Sequence, residues 1–203
     1  MDGDAEWQRW RREIFGDPEE VGPGGPGFAA LIEAAGREPR TVERMLRAGL
    51  ARGDAVAARS FIALASAGLA PADAVSILRT ALIHARDAFR LRVAEALYAV
   101  TRDPGWATPV AGVLAGAASE AVRLDAAVAL SGFPPSVVLV RAMAAAVLDP
   151  EYLVRYQATN ALLRWAGDSR PVDDVPALLD KINDRAEGAW RAAAEELTAR
   201  LCP

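Results

Sequence analysis

The chain of 203 residues has one cysteine, one histidine and one lysine, and only 6% of it is aromatic. Each scarcity excludes something. Cys202 alone makes no internal disulfide, and without a Cys/His cluster no zinc site is expected. His84 is the single imidazole, so base catalysis by histidine has one candidate position. The opening MDGDAEWQRW lacks the basic and apolar regions of a secretory signal, and no window approaches eighteen uninterrupted apolar residues. A soluble, cytoplasmic protein is the expectation. The formal net charge of −4 disfavours a general nucleic-acid binder, which carries a basic excess.

What the chain has is alanine, arginine and a period. Alanine is the best helix former and lets backbones approach closely. The frame Arg-x-x-small-x-x-Ala-Leu appears as RLRVAEAL (90–97), RLDAAVAL (123–130) and RYQATNAL (155–162), at intervals of 33 and 32 residues. AARSFIAL (57–64) fills it one step earlier with alanine first, and WRAAAEEL (190–197) fills it loosely one step later. Each copy follows a second apolar segment, at 41–53, 71–85, 108–117, 135–148 and 171–183, four of them opened by proline. Gly or Asp-Pro stands at the joins, and apolar spacings of three and four exclude strands. A period near 33 made of helix pairs predicts an all-α stack of repeats. The expected pairs cover about 41–68, 71–102, 106–132, 135–167 and 171–201.

Residues 1–36 differ. DAEWQRWRREIF places Trp7, Trp10, Ile14 and Phe15 at helical spacing, GDPEEVGPGGPG (16–27) reads as a loop, and FAALIEAAG (28–36) as a short helix. An N-terminal helical cap on a repeat domain of residues 37–203 is expected; docking of the Trp7/Trp10 helix to a partner is the alternative. GPGGPG lacks the Lys-Ser/Thr and preceding strand of a phosphate loop.

At about 100° per residue, the fourth and eighth frame positions fall on one side with Phe89, Val122 and Val154. The second, third, sixth and ninth positions fall opposite. DPEYLVRYQATNALL (149–163) resembles the second half of a HEAT repeat, of the short bacterial type also found in phycobilisome-lyase-like proteins, through Asp149, Pro150, Val154, Arg155, Ala158, Ala161 and Leu162. The resemblance covers roughly residues 40 to 200, most specifically 119–163. It implies a right-handed α-solenoid of about five HEAT-like pairs whose second helices line a concave binding face. On that face the outward positions are Arg59, Arg92, Glu95, Tyr98, Asp125, Tyr156, Gln157 and Asn160. Their mixed charge suits a protein or peptide partner better than a phosphate backbone.

The resemblance also implies that an arginine at the first frame position bonds an aspartate in the turn before its helix. Asp149 stands six residues ahead of Arg155, while Ala117 and His84 hold that place for Arg123 and Arg90. Arg90, Arg123, Asp149 and Arg155 are therefore expected as a structural ladder. His84 near Asp87 is the weak catalytic candidate; a helix-end role, where histidine meets the last carbonyls, is the competing reading. No catalytic residue, metal ligand or cofactor is assigned. A non-enzymatic scaffold for a protein or peptide is the leading expectation. An enzyme on the same scaffold is the alternative: a bilin lyase, or an alkylpurine DNA glycosylase with Asp125 on its expected face. The oligomeric state is open.

Overall fold

Helix breakers and caps punctuate an otherwise continuous helical chain. The computed structural model describes residues 3–17 and 27–201, so the loop reading of 18–26 and the position of Cys202 lie outside the described residues. Among the described residues there are twelve α-helices and no strand. They are α1 (Gly3–Phe15), α2 (Ala29–Arg37), α3 (Pro39–Ala51), α4 (Ala55–Ser66), α5 (Ala74–His84) and α6 (Asp87–Thr101). Then follow α7 (Ala107–Gly116), α8 (Glu120–Leu130), α9 (Val137–Ala146), α10 (Tyr152–Trp165), α11 (Pro176–Asn183) and α12 (Glu187–Leu201). None is long and apolar enough to cross a membrane. The five repeat copies are α4, α6, α8, α10 and α12, each preceded by its partner helix.

Local chemistry sets the ends. α3 stops in a Schellman arrangement: Gly53 adopts φ +72° and donates to the Leu50 carbonyl at 3.0 Å, while Asp54 N–H reaches back to Gly49 at 3.1 Å. The same pair of bonds recurs at Gly167 and Asp168 after α10. Ser136 caps α9, accepting from Leu139 N–H. The helix expected over 171–183 starts only at Pro176. Proline at the first helical position forces Val175 out of the helical region, to φ −127° and ψ 74°, so Val172–Asp174 closes as a separate 3-10 turn.

Packing divides the chain into two compact units, Met1–Trp106 and Ala107–Pro203. In the first, α4 and α6 lie side by side, with α3 and α5 as their partners, and α1 and α2 pack on α3. One core runs from Trp7 to Leu97 through Leu31, Leu46, Phe61 and Leu78. Gly49 permits the close approach of α1: a Cβ there would sit 2.7 Å from both the Trp7 ring and Ala57 Cβ. In the second unit α8 packs beside α10, α7 beside α9, and α12 against both α9 and α10.

The frame's fourth residue (Ser60, Val93, Ala126, Ala158, Ala193) is buried in all five copies, and so is the closing leucine. The buried stripe is wider than the angular reading allowed. The fifth residue (Phe61, Ala94, Ala127, Thr159, Ala194) is buried throughout, and Ala58 and Leu91, second-position residues expected to face outward, are fully buried. Each second helix contacts helices on two sides, so a single apolar stripe cannot serve both.

Candidate functional site

The arginines of the frame organise the second unit. Arg123 spans two helix pairs: its guanidinium meets Asp149 through Nε at 2.7 Å and Nη2 at 3.0 Å, a two-point carboxylate contact. Its Nη1 donates to the carbonyls of Ala117 and Ala118, six and five residues back. Arg155 repeats that second half, donating from Nη1 to the carbonyls of Asp149 and Pro150 at 2.7 and 2.8 Å. Its Nε goes forward to the Ile182 carbonyl at 2.9 Å, and its guanidinium lies 4.0 Å from the Trp190 ring centroid. Trp190, which replaces arginine in the last copy, keeps the bond six residues back, from its Nε1 to the Asp184 carbonyl at 2.8 Å.

The carboxylate of Asp149 thus faces Arg123 of the preceding pair, and Arg155 receives only its backbone carbonyl. Asp149 Oδ1 also caps Glu151 N–H at 2.9 Å, which turns the carboxylate away from Arg155. Electrostatics follow the geometry. Donation to the Asp149 carboxylate holds the Arg123 pKa above its ordinary value, whereas burial lowers that of Arg155, which is only 5% exposed. Arg90, expected as a third rung, is half-buried and lines a groove beside Trp106.

The residues expected on the outward row are dispersed between structural and exposed roles. Asn160 Oδ1 accepts from Val172 N–H at 2.8 Å, and the Tyr156 hydroxyl bonds Asp173, so both hold the 3-10 turn against α10. The Asp173 hydrogen bond raises the Tyr156 pKa. Gln157 is half-buried on the same helix. On α8, Asp125 is exposed, and Val128 three residues on is 49% exposed. In the first unit Arg92 pairs with Glu95 at 2.9 Å along α6, Tyr98 is half-buried one turn further, and the Arg59 guanidinium lies 5.6 Å from the Phe28 ring centroid. Arg59, Arg92, Tyr98 and Asp125 each make a further interaction.

Trp7 is wholly buried, with its Nε1 donating to Asp54 Oδ2 at 3.0 Å; Arg11 meets the same oxygen at 3.1 Å and Arg44 pairs with Glu6 at 2.5 Å. Asp54 also caps α4 through Val56 N–H at 2.8 Å. The aspartate's double duty was not visible in the sequence, since capping explains an Asp at that position by itself.

His84 is exposed at the end of α5, on the rim of a groove of about 560 Å3 with Arg47, Arg52 and Phe89. Asp87, which opens α6, takes φ +42°. A larger groove of about 840 Å3 follows the outer flank of α5, lined by Val75, Arg79, Leu82, Ile83, Arg90 and Trp106 among others. This groove follows a first helix and takes only Arg90 from the repeated frame, so the sequence pattern does not single it out. At the C-terminal end, Lys181 meets Glu196 at 2.6 Å and lowers its pKa, and the Arg170 side chain brings Asp168 down to about 2. Among the described residues no three of His, Cys, Asp and Glu gather as a metal site.

No family model, no curated protein and no solved structure matches this chain.

Proposed function

We propose that the chain is a non-enzymatic scaffold: a right-handed, HEAT-like solenoid whose second helices form a face for a protein or peptide partner. The observation that carries this reading is the side-by-side packing of second helices within each unit, α4 with α6 and α8 with α10. Similar frames packed in this way bury their fourth, fifth and eighth positions and leave a row of mixed chemistry at the third and sixth. Val128 supports a protein partner in particular. It is a large apolar side chain left 49% exposed on α8, one turn from the exposed Asp125. An apolar contact ringed by polar groups is the usual composition of a protein-binding patch.

The test replaces Asp125 by Arg and Val128 by Asp, and leaves Asn160 intact because it holds the 172–174 turn. Affinity capture from the native host should recover a partner whose yield falls at least about tenfold with the variant, as expected for loss of a central contact. A variant with wild-type helicity and melting behaviour that captures the partner undiminished would remove this face from consideration.

A further inference from the structure

The groove along α5 lies on a first helix, outside the second-helix face, and its chemistry differs. Its walls are aliphatic and aromatic, from Val75, Leu82, Ile83 and Trp106. Ile83 is 65% exposed, an unusual position for a large apolar side chain beside a concave surface. Two cations border it, Arg79 from α5 and Arg90 from α6. Neither meets a carboxylate within ion-pair distance among the described residues, in contrast to Arg47, Arg92 and Arg123 of the same chain. The one acid of the groove, Asp73, is already engaged by Arg47. In a chain with a net charge of −4, a groove whose acid is paired and whose arginines are not is a local reversal of sign.

We propose that this groove is a second docking site, for an acidic peptide segment of a partner protein that seats apolar side chains against Ile83 and Trp106 and carboxylates on Arg79 and Arg90. The charge selects acid over base. The walls select a peptide over a nucleic acid: they offer aliphatic surface and one tryptophan, where single-stranded nucleic acid uses a cationic track with successive stacking platforms. At about 840 Å3 the groove accommodates a few side chains, the scale of a short motif.

The experiment uses the full chain and three probes: a 14-residue amphipathic peptide of Leu and Glu, the same peptide with Lys for Glu, and a single-stranded RNA of ten nucleotides. Binding is followed by amide chemical-shift mapping and fluorescence anisotropy at low salt. The Glu peptide is expected to bind at least about fivefold tighter than the Lys peptide, the yield of two partly exposed ion pairs, with shifts confined to 75–83, Arg90 and Trp106. The double variant Arg79→Glu, Arg90→Glu is expected to reverse that preference, an outcome that misfolding cannot produce. Equal binding of the two peptides, shifts centred elsewhere, preference for RNA, or an unreversed preference in the variant each overturns the proposal. The Asp125/Val128 variant should bind the Glu peptide as the wild type does, which separates this site from the second-helix face.

Discussion

Arg155 carries a charge into a nearly closed environment and meets no carboxylate in return. Three backbone carbonyls and the face of Trp190 replace the counter-ion, so the guanidinium spends its planar donors on tying the 149–151 turn to the end of α11. Truncation would leave those carbonyls unpaired, which is why such a residue can be indispensable without touching any ligand. One turn along the same helix the balance is reversed. Thr159 is wholly buried, and its hydroxyl has no hydrogen-bond partner among the described residues. Valine keeps the branched shape and loses the unsatisfied group. Thr159→Val should therefore raise the unfolding free energy by roughly 1 kcal/mol, seen as a higher urea midpoint at unchanged slope. A lowered midpoint would mean that the hydroxyl holds a bound water or an unrecognised acceptor.

At the scale of elements, period and punctuation made most of the fold legible. The five frames, their partner helices and the two N-terminal helices all exist, because apolar spacing, glycine stops and proline starts act locally. Contacts set by neighbouring pairs were less legible. The Asp149 carboxylate turned to Arg123, since its choice depends on which arginine the stacking brings close. Asn160 and Tyr156 looked outward on a helical wheel but are spent on a turn formed by residues 172–174, whose detachment from α11 depends on Pro176. The groove on α5 takes only Arg90 from the repeated frame, so the period alone does not point to it. The docking of α1 has its own determinant. Gly49→Ala would drive a methyl group into the Trp7 ring and Ala57, all rigidly held. Overpacking of that kind costs about 1–3 kcal/mol, and here it should be relieved by displacement of α1. The expected readout is a lower melting temperature with a red-shifted tryptophan emission as Trp7 leaves the core. Unchanged emission and stability would show that α1 contributes little to the first unit.

On the scale of the whole molecule, the proposed solenoid has a consequence that needs no partner. An uncapped end of a repeat stack offers the same apolar surface that joins its neighbours, so the mass in solution reports whether such a surface is left open. The forward intensity of small-angle X-ray scattering is expected to give a 21.5 kDa monomer at every concentration. A mass that rises towards twice that value with concentration would show that a terminal helix pair meets a second copy. The ion pair of Arg123 with Asp149 and the groove of α5 each belong to a single unit, so both stand in either case.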